Sequence, residues 1–468
     1  MNQDASYFFC GIGGSGMLPL AMIVQARGAA IEGSDRALDQ GRTPEKFDWL
    51  RAHGVTLHPQ DGSGVTRADQ TVIATGAIED TVPDIGAAKR AGAIIKTRPQ
   101  LLSEIFNAAP TSVGVAGTSG KSTITGMIAW ILHQTDRDPT VMNGAVMKNF
   151  ADADHPFASA LIGGPDLFVS EVDESDGSIA GYDPTVAVVS NISLDHKSME
   201  ELRDLFGGFT ARATTAVLNL DNPETAALAQ ELAQTLPTGK VITFGLGEEK
   251  ADLSGHDLTP LPAGMKFRLI EGWSEHDVIL NVPGAHNVAN ALAALGATRA
   301  LGVPTSEAVK ALETFAGIRR RMEVVGTAGD ITVIDDFAHN PDKIAATLKT
   351  LHAFDGRLLI LFQPHGFGPL KLMKSEFIDG FAGLMREDDV LLMPEPVYYG
   401  GTTDRSVGSE DIASGVRTAG HQAEALATRA ACGYRIVEIA QPGDRIIVMG
   451  ARDDTLSSFA AELLGRLA

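Results

Sequence analysis

Short apolar runs that end in polar or glycine-rich turns alternate with helical patterns along the whole chain. The first run, Tyr7–Cys10, is followed by the glycine-rich turn at 11–16, by a helical pattern from Met17 and by a second strand that ends before Asp35. Strand, glycine turn, helix, strand and acidic residue in this order are typical of a dinucleotide-binding α/β fold. Two more strand-like runs continue this segment, at 71–78 and 93–102.

A second segment opens with VGVAGTSGKSTITGM, which predicts a strand, a turn and a helix that begins near Lys121. Two later apolar strands of this segment run into polar tips, at 167–176 and 185–196. Short strands and turns between about 250 and 283 predict a small β-subdomain, and 286–302 predicts an alanine-rich helix.

A third segment follows FAGIRRRME and repeats the alternation of strands and helices. Its strands again end in polar residues, in ITVIDDFAHNP, RLLILFQPH, DVLLMPE and DRIIVMGARDD. In open parallel sheets, ligands bind at the carboxyl ends of the strands. We therefore predict an α/β protein of three domains, at 1–108, 109–322 and 323–468, with polar sites at the strand ends.

Composition limits the function classes. The chain has 468 residues, 44% of them hydrophobic, and a formal net charge of −21, which argues against broad binding to nucleic acid or to an anionic membrane. Neither a leader pattern nor an apolar run of membrane-spanning length is visible, and the two cysteines, Cys10 and Cys432, lie far apart in sequence. We expect a soluble cytoplasmic protein in which both cysteines pack in the interior.

The loop GTSGKST at 117–123 is a candidate phosphate site. Glycine-turn amides in front of a helix N-terminus favour an anion, Lys121 can reach terminal phosphates, and the Ser122 hydroxyl can ligate Mg²⁺. The longer P-loop pattern requires a glycine where Val115 stands, so this is a shorter form of the loop. The alternative is a plain turn before a helix.

The first glycine motif is less specific. Gly11, Gly13 and Gly16 form G-x-G-x-x-G, and Asp35 follows about twenty residues later, which supports a ligand that carries a ribose. This pattern does not identify a redox cofactor, and such a motif also occurs in ordinary turns.

Carboxylates cluster after one strand of the second segment, at Glu171, Asp173, Glu174 and Asp176, and Asp195 and His196 follow the next strand. Because Mg²⁺ prefers hard oxygen ligands, one carboxylate, one histidine and the phosphates could hold it near the loop. The alternative is a solvated acidic loop.

Two motifs of the third segment offer charge and proton transfer. Arginines 319–321 can stabilise a transferring phosphoryl group or form a salt bridge between domains. Asp335, Asp336 and His339 end a strand, where Asn340 before Pro341 could instead cap a helix.

Taken in order, these motifs resemble the Mur ligase family, which builds the peptide stem of bacterial cell-wall precursors. The resemblance rests on GIGGSGM, GTSGKST, EVDESD, NISLDH, PGAHNVANALAA, FAGIRRRME, DDFAHNP and FQPH, and it covers nearly the whole chain. It implies an N-terminal Rossmann-like domain for a UDP-sugar, a central P-loop-type ATPase domain with the small β-subdomain, and a C-terminal Rossmann-like domain. It also implies an ATP- and Mg²⁺-dependent ligase that forms an amide through an acyl phosphate.

The glycine turn resembles the branch of the family that adds the first amino group to UDP-N-acetylmuramate. That branch implies L-alanine as the amine and a role in peptidoglycan precursor synthesis. By position, the resemblance implies ATP contacts from the loop, a helix start and the third segment: Gly117, Thr118, Ser119, Gly120, Lys121, Ser122, Thr123, His286, Asn287, Asn290, Arg321 and Asp336.

The resemblance also implies the remaining site residues. The metal ligands would be Ser122, Glu171 and His196, with Glu171 preferred to Glu174 because its spacing to His196 resembles that of the family. The UDP-sugar would contact Gly11, Gly13, Gly14, Ser15, Gly16, Met17 and Asp35. His339 is the candidate for handling the amine, beside the catalytic residues Lys121, Glu171, His196, Arg321 and Asp336.

Three stretches depart from the family pattern and leave the amine open. Relatives usually carry histidine in place of Ser119, HHP in place of HNP at 339–341, and a basic stretch in place of GFGPL at 366–370. The alternatives are a recycling ligase that adds a tripeptide, a Mur-like ligase with another amine, a nicotinamide-dependent oxidoreductase and a non-enzymatic nucleotide-binding regulator. The protein is expected to be a monomer or a homodimer.

Overall fold

A computed structural model describes residues 5–76, 81–194, 197–235, 237, 240–261, 263–397, 404–451, 453 and 455–467. The chain divides into two compact units. The first comprises Met1–Leu258, Lys266–Leu280 and His286–Gly317, and the second comprises Thr259–Met265, Asn281–Ala285 and Ile318–Ala468.

The first sheet is parallel, with the order β3-β2-β1-β4-β5. Its strands are β1 Ser6–Cys10, β2 Ala30–Ser34, β3 Thr56–His58, β4 Gln70–Ala74 and β5 Ile94–Thr97. Its helices are α1 Met17–Ala26, α2 Arg36–Asp39, α3 Pro44–Ala52, α4 Pro83–Ala91 and α5 Arg98–Asn107. This strand order is that of a nucleotide-binding doubly wound sheet, as the opening pattern predicts.

The second sheet also lies mainly in the first unit, with the order β15-β14-β13-β12-β11-β10-β6-β9-β7-β8. Its strands are β6 Thr111–Ala116, β7 Thr140–Met142, β8 Ala160–Leu161, β9 Leu167–Glu171, β10 Val186–Val189, β11 Thr215–Asn219, β12 Val241–Leu246, β13 Leu253–Leu261, β14 Gly264–Glu271 and β15 Ser274–Leu280. Its helices are α6 Lys121–Gln134, α7 Met199–Ala211, α8 Pro223–Thr235, α9 Ala285–Ala300 and α10 Thr305–Leu312. The small β-subdomain expected near 250–283 is formed by β13–β15, which continue this sheet.

The third sheet lies in the second unit, with the order β16-β17-β21-β18-β19-β20. Its strands are β16 Glu323–Ala328, β17 Ile331–Asp336, β18 Leu358–Phe362, β19 Val390–Pro394, β20 Gln422–Leu426 and β21 Arg445–Met449. Its helices are α11 Pro341–Leu351, α12 Phe367–Leu372, α13 Lys374–Leu384, α14 Ser409–Thr418, α15 Arg429–Ile439 and α16 Thr455–Leu467. Apart from the antiparallel pair β16 and β17, its strands pair in parallel.

Burial explains why these runs form inner strands. Every residue of β10, β11, β18 and β19 is buried, as expected for parallel strands covered on both faces. In the first unit one apolar core joins the first and second sheets, where the ring of Phe106 lies 6.0 Å from that of Phe168 and 5.2 Å from that of Tyr182. The glycine turn after β1 and the loop after β6 therefore belong to the same compact unit.

Both cysteines are buried, as expected for packing residues. Within the part of the chain that the structure describes, no helix has the length and apolar character needed to cross a membrane.

Candidate active site

The candidate phosphate loop lies between the end of β6 and the start of α6. Gly117 has a φ of +134° and Gly120 a φ of +88°, a region that residues with side chains disfavour. A Cβ on Gly117 would overlap the Ser190 hydroxyl, and a Cβ on Gly120 would lie 2.6 Å from Asn290 Oδ1. Both positions require glycine because the loop passes so close to its neighbours.

Residues after β10 hold this loop in place. Asn191 Oδ1 accepts a hydrogen bond from Ser119 N at 3.0 Å, and Ser190 Oγ donates to Ser119 O at 2.6 Å. Thr118 N donates to Asn191 O at 3.1 Å. Ser190 and Asn191, directly after β10, thus support the backbone of the loop.

Lys121, the first residue of α6, is engaged by two oxygen atoms. Its Nζ donates to Gly117 O at 2.7 Å and to Glu174 Oε2 at 2.9 Å. The side chains of Lys121 and Glu174 are 19% and 6% exposed, so this ion pair is largely shielded from water. The ammonium group is thereby fixed over the loop, where a terminal phosphate would lie.

The start of α9 approaches the same loop. Asn290 Nδ2 donates to Asn287 Oδ1 at 3.0 Å, and the other amide atom of Asn290 faces Gly120. Asn287 and Asn290 are buried, whereas His286 is exposed at the helix start. The structure therefore brings Asn287 and Asn290 to the predicted nucleotide loop.

The carboxylates of the predicted cluster have different neighbours in the structure. Glu171 ends β9, and its Oε1 accepts a hydrogen bond from Gly144 N at 2.6 Å. Burial would raise the pKa of Asp173, but hydrogen bonds from Ser175 and the charges of Lys121 and Arg98 hold that pKa below its ordinary value. His196 and Asp195 lie outside the described residues, among which no cluster of three potential metal ligands is found.

The glycine turn of the first sheet is held by Asp35. Its Oδ2 accepts a hydrogen bond from Gly13 N at 2.8 Å, and its Oδ1 accepts from Ala37 N at 2.7 Å as the N-cap of α2. Gly11 N donates to Ser34 O at 2.8 Å. In this structure Asp35 shapes the turn, which is a role distinct from the predicted contact with a ribose.

A cleft of about 260 Å³ joins the two candidate sites within the first unit. On one side it is lined by Ser15 and Gly16 of the glycine turn, and on the other by Lys121 and Glu171. Its remaining lining residues are Arg98, Leu102, Met142, Asn143, Gly144, Asp173, Ser178 and Tyr182. Arg98, Asn143 and Gly144 are absent from the sequence-based site, although Arg98 directly follows β5 and Asn143 directly follows β7.

The third-segment candidates are brought together in the second unit. Arg321 and Arg320 lie over the Phe337 ring, with Cζ 4.7 and 5.1 Å from its centroid. Arg320 is buried and donates to Gly450 O at 2.6 Å, so it is the structural arginine of the pair. Arg321 remains the candidate for a phosphoryl contact.

The carboxylates at the end of β17 serve as internal acceptors. Asp336 accepts hydrogen bonds from Met322 N at 3.0 Å and from Thr347 Oγ1 at 2.5 Å, and is buried. Burial raises the pKa of Asp335 to about 6, although the Arg320 charge opposes this. The carboxylate of Asp336, which is predicted to complete an ATP site, therefore already accepts two hydrogen bonds within the protein.

His339 lies beside Phe337 and His365. Its Nδ1 is 2.9 Å from Phe337 O, and its ring is 5.5 Å from that of His365. Burial, together with the charge of Lys343, lowers the pKa of His339 to about 4. Asn340 caps α11 by accepting a hydrogen bond from Lys343 N at 2.9 Å, so the capping alternative holds for Asn340.

Family models match the chain in three consecutive stretches. The Mur ligase family catalytic domain matches residues 6–109, the Mur ligase middle domain 115–298, and the Mur ligase glutamate ligase domain 320–452. A UDP-N-acetylmuramate–L-alanine ligase of Desulfosudis oleivorans is 32% identical over 95% of this chain and 95% of its own. The chain belongs to the Mur ligase family.

Solved structures agree with this Mur ligase at the level of the fold. The UDP-N-acetylmuramate-alanine ligase MurC of Thermotoga maritima has a TM-score of 0.78 at 24% identity and covers 98% of both chains. A murein peptide ligase from Psychrobacter arcticus has a TM-score of 0.71 at 24% identity, covering 99% of this chain and 98% of its own. The predicted three-domain α/β architecture and the class of ATP-dependent ligase are confirmed.

The residues present fit the ligands that the family implies. Gly117 and Gly120 leave no room for a Cβ in the loop, and Lys121 begins the helix behind it, beside Gly117 O and Glu174. A glycine turn in front of a helix N-terminus suits an anion such as phosphate. Ser122 and Glu171 offer the hard oxygen donors that Mg²⁺ prefers.

Proposed function

We propose that this Mur ligase joins the lactyl carboxylate of UDP-N-acetylmuramate to L-alanine, using ATP and Mg²⁺. The cleft carries the proposal, because it opens both to the glycine turn and to the phosphate loop. A substrate whose diphosphate lies against Ser15 and Gly16 would present its carboxylate towards Lys121 and Glu171. The relatives named for L-alanine addition match at full length, which favours L-alanine as the amine.

We propose that the loop residues bind and orient the nucleotide. Lys121 would neutralise charge on the terminal phosphates, and Ser122, Glu171 and His196 would hold Mg²⁺. ATP supplies the phosphoryl group that turns the carboxylate, whose own leaving group would be oxide, into an acyl phosphate. Asn290 would keep the loop in register by its contact with Gly120.

We assign the second unit to the later part of the reaction. Arg321 and Asp336 would complete the nucleotide site, and His339 would accept a proton from the attacking amine. A pKa of about 4 keeps the His339 imidazole unprotonated at pH 7, so it can accept a proton, although only as a weak base. Domain limits of 1–108, 109–322 and 323–468 and a cytoplasmic location belong to the same proposal.

Lys121→Ala tests the division between the two sites. ADP release with Mg-ATP, UDP-N-acetylmuramate and L-alanine should disappear, whereas calorimetric binding of UDP-N-acetylmuramate should persist because that ligand lies mainly on the first sheet. Lys310→Ala, on the exposed face of α10, is the matched control and should turn over normally. Loss of both activity and UDP-sugar binding in Lys121→Ala would contradict the two-site arrangement.

A tripeptide is the alternative to L-alanine as the amine. The stretch after His365 carries no basic side chain before Lys371, and residues from Phe367 form α12. A panel of amines separates the two possibilities: turnover with the stem tripeptide and none with L-alanine would identify a recycling ligase.

A further inference from the structure

The backbone takes an unusual conformation on both sides of Arg321. Arg320 has a φ of +58° and Met322 a φ of +49°, in the left-handed region that side chains disfavour. Among the residues that the structure describes, seven non-glycine residues have a positive φ, and four of those are aspartates, which tolerate it better. Arg320 and Met322 do not belong to that class. Strained conformations of this kind persist only where the surroundings hold them, and they cluster at functional sites.

Two carboxylates hold the turn at 320–322. Glu323 Oε2 accepts a hydrogen bond from Arg320 N at 2.9 Å, and Asp336 Oδ1 accepts one from Met322 N at 3.0 Å. Phe337 N donates to Arg320 O at 2.8 Å, which joins the turn to the chain directly after β17. Each of the two left-handed residues therefore has its own amide bound to a carboxylate.

The side chains on either side of Arg321 are anchored in the interior of the second unit. Met322 packs in the core below the third sheet, and the guanidinium group of Arg320 donates to Gly450 O at 2.6 Å. Arg321 is partly exposed, with its Cζ 4.7 Å from the centroid of the Phe337 ring. Because both neighbours are buried, the backbone between them fixes the direction in which the Arg321 side chain leaves the turn.

We propose, resting on the proposed function, that Glu323 is a positioning residue for Arg321. Its carboxylate holds the Arg320 amide and so keeps the strained turn in the conformation that presents the Arg321 guanidinium group to the transferring phosphoryl group. A guanidinium group that is in place before the reaction stabilises the developing charge without reorganisation. The alternative is that Glu323 only caps the start of β16, in which case it affects stability but not the rate.

Glu323→Ala and Glu323→Gln test this role in ADP release, with the exposed Glu387, in the turn before β19, changed to Ala as the control. We expect Glu323→Ala to lower kcat about tenfold and to leave the KM for ATP within about twofold of wild type, because Arg321 acts on charge that develops in the transition state. Glu323→Gln keeps an oxygen acceptor for Arg320 N and should retain most of the rate. Glu387→Ala should turn over as wild type.

A double-mutant cycle with Arg321→Ala separates positioning from a structural role. Arg321→Ala alone should lower kcat at least about 100-fold. The double variant Arg321→Ala/Glu323→Ala should be no slower than Arg321→Ala, since Glu323 acts through Arg321. An unchanged kcat in Glu323→Ala, or losses that multiply in the double variant, would overturn the proposal. A Glu323→Gln variant as slow as Glu323→Ala would overturn it as well, because the charge rather than the hydrogen bond would then matter.

Backbone hydrogen exchange of residues 320–322 tests the turn without turnover. Exchange there should be at least about fivefold faster in Glu323→Ala than in wild type and unchanged in Glu323→Gln. Equal exchange in Glu323→Ala and wild type would contradict the proposal. A wild-type protein that binds Mg-ATP but releases no ADP with UDP-N-acetylmuramate and any amine would instead refute the proposed function, and the exchange measurement would still decide whether Glu323 holds the turn.

Discussion

Variants of the ion pair between Lys121 and Glu174 separate the effect of Lys121 on the stability of the fold from its effect on activity. Lys121→Ala removes the cation from a carboxylate that is only 6% exposed, leaving Glu174 buried without its partner. A buried charge that loses a cationic partner destabilises the fold, because water cannot fully replace the lost interaction. The double variant Lys121→Ala/Glu174→Ala removes this buried charge as well. It should therefore be more stable than Lys121→Ala alone.

The expected magnitude follows from the geometry. Lys121 Nζ makes one charge-assisted bond of 2.9 Å to Glu174 and a second of 2.7 Å to Gly117 O. Because Lys121 is itself 19% exposed, we expect Lys121→Ala to lower the free energy of unfolding by about 2–3 kcal/mol, below the value for a fully buried pair. The double variant should regain at least about 1 kcal/mol of this loss.

Urea unfolding followed by tryptophan fluorescence measures this effect in the relevant unit. Trp49, Trp130 and Trp273 all belong to the first unit, so their emission reports its unfolding. ADP release should be absent from both variants, since neither has the lysine. A Lys121→Ala protein as stable as wild type, or a double variant less stable than Lys121→Ala, would refute this account of the pair.

Three further predictions concern the loop, the glycine turn and the second unit. Gly120→Ala should abolish ATP turnover, because its Cβ would lie 2.6 Å from Asn290 Oδ1. The control Gly247→Ala also has a positive φ but has open space around the new Cβ, so it should only lower stability. ADP release and the thermal midpoint distinguish the two variants. Asp35→Ala removes the acceptor of the Gly13 N hydrogen bond in the glycine turn. In steady-state kinetics, the variant should have a KM for the UDP-sugar that is raised about tenfold and an unchanged KM for ATP. His339 has a pKa of about 4 in the folded protein against 6.5 for the free side chain, so the unfolded chain gains the proton first on acidification and stability falls from pH 6.5 to 4. His339→Gln should remove that part of the loss, as measured by hydrogen exchange of the third-sheet strands; an unchanged pH dependence would contradict the shifted pKa.

Local patterns predict the positions of the phosphate loop and the glycine turn. The apolar run before Gly117 is β6, and α6 begins at Lys121 as the pattern indicates. The runs that flank the first glycine turn form β1, α1 and β2, as the opening pattern predicts. Such features are readable because neighbouring residues along the chain determine them.

Contacts between distant residues could not be read from the sequence. Arg98 and Gly16 are far apart in the chain and meet only because α5 and α1 start at the same edge of the first sheet. Arg320 and Arg321 are neighbours in one basic run, yet only Arg320 is buried against Gly450 O. Tertiary packing decides which of several similar side chains is buried.

The most direct test is ADP release by wild-type protein with Mg-ATP and UDP-N-acetylmuramate, measured separately with L-alanine, L-serine, glycine and the stem tripeptide. The account predicts turnover that requires the UDP-sugar and is fastest with L-alanine. Absence of turnover with every amine, from protein that still binds ATP, would contradict the proposed reaction.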